Sequence, residues 1–181
     1  MYISRKLKEQ SISEYLLYMW QVEDMIRANG CDVDKLAETV VAAYDLPEEQ
    51  RAELTEWYAN LVEMMHLEGV EQRGHLQINK NVIIQLADLH SRLIHSPKFP
   101  FYQAAYYKAL PFIVELRAKG GQDKSELENC FDALYGVWML RLSRKEVGKE
   151  TAAAVADIVK FVGLLSDYYN KERVGELDLE D

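Results

Sequence analysis

The chain has 181 residues, of which 49% are hydrophobic and 28% charged, and this composition excludes a mostly disordered protein. Its 9 glycines and 4 prolines are too few for the many turns of a β-sandwich or barrel, so the composition favours helices. The formal net charge of -9 repels polyphosphate, and we therefore expect no nucleic-acid partner.

Four helices are predicted in the first half of the chain. A capping box, in which a Ser and a Glu three residues later satisfy free backbone groups, opens the first at Ser11–Glu14, and the stop signal Asn29-Gly30 ends it. The next three are expected over about 32–44, from Pro47 to a point between Gly69 and Gly74, and over about 79–95.

Three more helices are predicted in the second half. The fifth begins after Phe99-Pro100 and ends at Gly120-Gly121, with a kink or a break at Pro111 because proline removes a backbone hydrogen bond. Further capping boxes predict the start of the sixth helix at Ser125–Glu128 and of the seventh at Ser143–Glu146.

These elements predict an all-α protein, a compact bundle of about seven helices that forms a single domain over residues 1–181. We expect the N-terminal arm, residues 1–10, and the acidic tail, residues 175–181, to be frayed. Predicted helices two to four can be aligned with helices five to seven without gaps, but any two amphipathic helices align in this way, so an internal duplication stays open.

The first and fifth predicted helices differ from the others because apolar side chains cover almost their whole circumference. On the fifth, only Lys108 and Glu115 mark a narrow polar strip. A helix of this kind is buried centrally or lies at a subunit interface. Seven helices enclose one such element more easily than two, so we expect one to be central and the other to be buried in a homodimer or against a protein partner.

Glu23 is the candidate ligand-binding residue that departs most clearly from its local pattern. It falls on the apolar line that runs from Ile12 to Ile26 along the first helix, where a carboxylate must be paired, hydrogen-bonded or protonated. Arg27 lies one turn further on and can pair with it. The alternatives are a structural ion pair and a ligand-binding or catalytic carboxylate.

Three other ligand-binding candidates are His90, Tyr102 and Tyr106. His90 flanks the core stripe of the fourth helix, where a histidine is usually a hydrogen-bonded core residue. The two tyrosines belong to an aromatic stretch that could line a pocket, although its helical spacing is also typical of a core. His75, in a loop, has no partner that the sequence identifies.

Glu63 and His66 have the Glu-x-x-His spacing of carboxylate-bridged di-metal sites in helical bundles. Such a site needs the motif twice, and here it occurs once, with Glu63 directed away from the core line of its helix. We interpret it as a surface coincidence. Because the sequence contains no phosphate loop, nucleophile elbow or strong metal signature, we predict no catalytic residue, no metal and no cofactor.

The sequence gives no sign of export or of membrane insertion. Charges at Glu23, Asp24 and Arg27 interrupt the N-terminal apolar stretch, and no apolar run approaches the length that spans a bilayer. Cys31 and Cys130 lie far apart, without the spacing of a disulfide framework or a zinc site. We therefore expect a cytoplasmic protein with no membrane partner.

Residues 14–28, EYLLYMWQVEDMIRA, resemble the opening of a family of short helical proteins from Bacteroides-type bacteria that is described as a domain of unknown function. The resemblance covers the whole chain and implies a bacterial cytosolic protein. It implies no activity, substrate or site residue.

Three functional classes stay open. The sequence favours an interaction or structural protein that acts through helix surfaces, because two helices are apolar all round and no catalytic motif is found. The alternatives are a small-molecule binder or regulator with a pocket near Glu23 and the aromatic stretch, and a helical enzyme whose site is assembled from scattered residues. We lean away from the enzyme.

Overall fold

A computed structural model describes residues 2–119 and 123–179 of the chain. These residues form eight α-helices and one short 3-10 helix, with no strand among them, which confirms the predicted all-α fold. The α-helices are α1 (Tyr2–Gln10), α2 (Ile12–Ala28), α3 (Val33–Thr39), α4 (Glu48–Glu68), α5 (Gln77–His95), α6 (Pro100–Ala118), α7 (Glu126–Leu142) and α8 (Lys149–Arg173), and the 3-10 helix is Val41–Ala43.

Helix α1 occupies the arm that the sequence analysis expects to be frayed. It packs against α2, and its last turn is bonded to the end of α8. The guanidinium of Arg173 donates to the backbone carbonyls of Lys8 and Glu9 at 3.3 Å and 3.2 Å. These are carbonyls that the end of a helix leaves without an internal donor, so the contact caps α1.

Serine caps open two of the helices as predicted. At the start of α7, Ser125 Oγ accepts from the N–H of Glu128 at 3.2 Å, and the Glu128 carboxylate accepts from the N–H of Ser125 at 2.8 Å. At the start of α2, Ser11 Oγ accepts from the N–H of Glu14 at 3.4 Å. Local side-chain chemistry therefore determines where both helices begin.

The capping box predicted at Ser143–Glu146 is wrong, because these residues end α7 instead of opening α8. The N–H of Lys145 bonds to the carbonyl of Leu140 at 2.9 Å, and Arg144 takes a left-handed backbone with φ of 55°. This is the Schellman ending of a helix. The backbone N–H groups of Ser143, Arg144 and Lys145 all bond back to carbonyls of α7, so these residues cannot cap a new helix. Helix α8 therefore begins several residues later, after Gly148.

Helix α6 runs through Pro111 as one helix, so of the two predicted alternatives, a kink or a break, the break does not occur. Pro111 and Tyr107 both lie on the exposed side of α6, so the Tyr107 carbonyl that lacks its usual donor can bond to water. The predicted end of this helix at Gly120-Gly121 lies outside the described residues.

Helix α2 lies at the centre of the packing, in contact with α1, α5, α7 and α8. Helix α6 packs against α5, α7 and α8 and buries one face, formed by Tyr102, Ala105, Ala109 and Ile113. None of the described helices is long and apolar enough to cross a membrane.

Candidate functional site

Glu23, on α2, is completely buried, and its carboxylate meets three groups at the start of α5. Oε1 accepts from the backbone N–H of Leu76 at 3.0 Å and from Nδ2 of Asn79 at 2.7 Å. Oε2 lies 2.6 Å from Nδ1 of His75. The first N–H groups of a helix have no internal partner and attract negative charge. The carboxylate therefore ties the beginning of α5 to the middle of α2.

Arg27 is not the main partner of Glu23. Its Nη2 lies 3.9 Å from Oε2 of Glu23, whereas its Nη1 lies 2.8 Å from the carboxylate of Asp24. The guanidinium also donates to the carbonyl of Val70 at 3.3 Å and 3.1 Å, and it bonds to the carbonyl of Gly74. The pairing that the sequence suggests within α2 is thus the longest of these contacts, and Arg27 mainly holds the loop between α4 and α5.

An aromatic group covers this network. The His75 ring stacks on the indole of Trp20 with centroids 4.0 Å apart and planes 12° apart, and Trp20 meets Phe131 and Tyr135 of α7 edge-on. Tyr135 Oη donates to Asp24 at 2.7 Å. Burial, and then this hydrogen bond, raise the pKa of Tyr135. The network therefore joins α2, the loop before α5, and α7.

A carboxylate behind an imidazole can orient that ring for proton transfer. The side chain of His75 keeps 27% of its surface accessible, so the ring is partly open to solvent. Glu23 itself has no accessible surface and already meets three groups, so its oxygens offer little to an incoming ligand.

His90, Tyr102 and Tyr106 form a second cluster beneath α6. Nδ1 of His90 lies 2.6 Å from Oη of Tyr102, and the His90 ring is 4.7 Å from the ring of Tyr106 and 5.4 Å from that of Phe161. Burial lowers the pKa of His90 and raises the pKa of Tyr102. Burial and a 2.9 Å hydrogen bond to Glu126 raise the pKa of Tyr106 to about 12. Burial therefore favours the neutral forms of His90, Tyr102 and Tyr106, which form a hydrogen-bonded cluster in the core.

The structure divides the five predicted ligand-binding residues into two groups, Glu23 with Arg27 and His90 with Tyr102 and Tyr106. Within the described part of the chain, no hydrogen bond or ring contact joins the two groups. The sequence analysis did not connect His75 or Asn79 with Glu23, from which they lie 52 and 56 residues away along the chain. The only sequence signal was position, since Asn79 opens the fourth predicted helix and His75 lies in the loop before it.

The Glu-x-x-His pair lies on the surface of α4. Glu63 and His66 are both exposed, and Nδ1 of His66 lies 3.0 Å from the carboxylate of Glu71 in the following loop. Among residues 2–119 and 123–179, no group of three or more His, Cys, Asp or Glu side chains could hold a metal ion.

The outer face of α6 carries a row of exposed apolar residues. Five positions spaced alternately by three and four residues are all apolar and exposed: Ala104, Tyr107, Pro111, Val114 and Ala118. We call this row the α6 seam, and its spacing is that of the contact positions in a coiled coil. Tyr107 keeps 60% and Val114 56% of their accessible surface. Lys108 and Glu115 flank the seam on one side, seven residues apart.

The helices and their packing define this chain as an all-helical protein. Its sequence matches the model of the family described as Domain of unknown function (DUF4924) over residues 1–176, and the chain belongs to that family. The match confirms the resemblance to a family of domains of unknown function. No curated protein and no solved structure matches the chain.

Proposed function

We propose that this protein is a helical interaction protein that associates with a second copy of itself through the α6 seam. The observation that carries the proposal is the row of five exposed apolar residues at coiled-coil spacing. A folded chain gains by covering such a surface, since burying apolar area is worth about 25 cal/mol per Å². Single exposed apolar residues need no explanation, but a continuous row is typical of an interface.

The charges beside the seam favour a second copy as the partner. In an antiparallel pair of α6 helices related by a two-fold axis near Pro111, Lys108 of each chain faces Glu115 of the other. The same surface then complements itself. Lys108 already pairs with Asp157 at 2.7 Å and Glu115 with Lys119 at 2.6 Å, so the new pairs would set the orientation of the two chains more than their affinity.

The residues of the seam are also of the kinds that supply binding energy at a protein interface. Tyr107 lies in the half of α6 before Pro111 and Val114 in the half after it, and both are half exposed or more. Aromatic residues that become buried at an interface supply much of its binding energy. Alanines at both ends of the seam let two helix backbones approach closely.

We place the protein in the bacterial cytosol. The resemblance to Bacteroides-type proteins supports this setting, as do two cysteines that are not joined in a disulfide. The charge of -9 favours a protein partner over a nucleic acid. A ligand site built on Glu23 or Tyr102 has less support, because the polar atoms of both side chains are engaged within the chain.

The test is light scattering on the purified protein, with a matched pair of variants. Tyr107 on the seam and Ile84 on α5 are exposed to 60% and 61%. We expect a dimer at micromolar concentration for the natural chain and for Ile84→Glu. Tyr107→Glu should weaken association by at least about thirtyfold, the loss typical of an interface hot spot. A natural chain that is monomeric at micromolar concentration, or equal effects of the two variants, would contradict the proposal.

A charge reversal tests the antiparallel arrangement. Lys108→Glu should weaken the dimer, because two Glu residues then face each other on each side of the axis. Adding Glu115→Lys in the same chain should restore it. If the double variant is no better than Lys108→Glu, the partner surface is not a second α6 seam.

A further inference from the structure

A groove of about 770 Å³ lies between the C-terminal half of α6, the middle of α7 and the first turns of α8. Its walls are mostly apolar and come from all three helices, with Phe112 and Leu116 from α6, Val137 and Leu140 from α7, and Val155 and Ile158 from α8. Sites for small molecules typically occupy about 300–1,000 Å³ and have mostly apolar walls. The groove therefore has the size and the lining of a small-molecule site.

A glycine keeps the groove open. Gly136 lies inside α7 with an ordinary helical backbone, and a Cβ built on it would meet no atom within 4 Å. Neither its conformation nor close packing requires glycine there. Glycine inside a helix costs about 0.5–1 kcal/mol relative to alanine. Ala133, one turn earlier, and Ala154, on α8, are also small and line the same space.

The lining of the groove contains one carboxylate without a neighbouring countercharge among the described residues. Glu115, Lys119 and Glu150 line the groove, and Lys119 is neutralised by Glu115 at 2.6 Å. The carboxylate of Glu150 forms no salt bridge within the described part of the chain. An uncompensated carboxylate beside an apolar trough complements a molecule that has a cationic end and an apolar body.

We propose that this groove binds a small amphipathic molecule with a cationic head, whose apolar body lies over Gly136 and whose head lies near Glu150. The groove adjoins the α6 seam at Glu115, which flanks the seam and lines the groove, but none of the five seam residues lines it. It contains no residue of the two side-chain clusters, and the proposal does not depend on self-association.

The test compares three probes with the same eight-carbon chain, octylammonium, octanol and octanoate, by titration calorimetry on the full chain. Octylammonium should bind best and octanoate worst. Gly136→Leu should weaken octylammonium at least about tenfold, because its side chain fills the groove and removes apolar contacts worth more than 1.4 kcal/mol. Gly163→Leu is the matched control, since Gly163 is also helical, also has open space around it, and lines a second groove that shares only Val137 and Val155 with the first.

Two more variants complete the experiment. Gly136→Ala adds one carbon and favours the helix, so it should fold and bind with intermediate affinity. Glu150→Gln should reduce the preference for octylammonium over octanoate by about two- to fivefold, the effect of one exposed charge.

Absence of binding by all probes, or binding that survives Gly136→Leu, would overturn the site. Equal affinity for the three probes would overturn its cationic specificity. Tyr107→Glu should bind octylammonium like the natural chain even if it no longer dimerises.

Discussion

Helices α2 and α6 have the same kind of sequence and different surroundings. Both carry apolar residues around most of their circumference. In α2, the only exposed residues are Glu14, Asp24 and Ala28, because other helices cover the remaining sides. In α6, three large apolar residues stay exposed, Phe101, Tyr107 and Val114.

The comparison shows what an all-round apolar pattern can predict. It indicates that a helix needs cover on every side, but not whether that cover comes from the same chain. Other helices of the same chain cover α2, and there the one buried carboxylate, Glu23, must be fully bonded. Helix α6 is covered by other helices of the chain only on its inner face, and its charged residues stay at the surface. We expect substitutions of the same type to destabilise the monomer in α2 and to leave its stability nearly unchanged in α6.

The largest difference should come from removing a glutamate in each helix. Glu23→Ala leaves His75 and Asn79 without their shared acceptor and opens a hole in α2, and breaking a buried charged network costs about 3–5 kcal/mol. Glu115→Ala removes an exposed pair and should leave the free energy of unfolding of the monomer nearly unchanged.

Urea unfolding measures the free energy of unfolding of both variants, at a protein concentration low enough to keep the chain monomeric. Glu23→Gln keeps the shape of the side chain and should lie between the natural chain and Glu23→Ala. If Glu23→Gln unfolds like the natural chain, the carboxylate is not what holds α5 to α2.

A smaller difference is expected for valine. Val22 of α2 is 1% exposed and Val114 of α6 is 56% exposed. Val22→Ala should destabilise the monomer by about 2 kcal/mol through lost burial. Val114→Ala should change the stability of the monomer very little and should weaken the dimer instead. Denaturant curves and light scattering on the same two variants separate these effects, and a large loss of monomer stability in Val114→Ala would mean that the chain itself covers the seam.

Most of the fold could be predicted because local chemistry marks the ends of its helices. Ser125 and Glu128 form a box whose every atom lies within four residues, and Pro100 begins α6 where its missing N–H costs nothing. The prediction at Ser143 was wrong for a physical reason. The same residues can form either the end of one helix or the start of the next, and the sequence does not indicate which of the two forms.

The candidate site could be predicted only in part. The burial of Glu23 follows from its place on the apolar line of α2, but its partners depend on how α5 lies across that helix. A sequence of α2 alone offers Arg27, the nearest cation, whereas the bonded groups are His75 and Asn79, more than fifty residues away. The two faces of α6 were not distinguishable either, since an exposed apolar residue and a buried one look alike in the sequence.

The contact between α5 and the inner face of α6 should respond to pH through His90. Burial lowers the pKa of His90, so the folded chain binds fewer protons at this residue than the unfolded chain does. Stability from this source is present above the unfolded pKa of about 6.5 and is lost as the pH falls below it. Between pH 7 and pH 5 the natural chain should lose more stability than His90→Gln. Parallel curves for the two proteins would show that His90 does not contribute to the pH dependence.

The smallest expected effect is that of Tyr107→Glu on the packing of α6 within its own chain. It tests whether the inner face of α6 alone keeps this helix packed. Cys130 of α7 is completely buried beneath α6, and burial raises the pKa of its thiol to about 12. The thiolate is the reactive form, so dithiodipyridine should label Cys130 only when the chain unfolds. Cys31→Ser removes the other, partly exposed thiol and makes Cys130 the only reporter. In that background, Tyr107→Glu should leave the labelling rate of Cys130 unchanged while it disrupts the dimer. Faster labelling would show that Tyr107 holds α6 onto its own chain, and the exposed row would then be part of the monomer's stability instead of an interface.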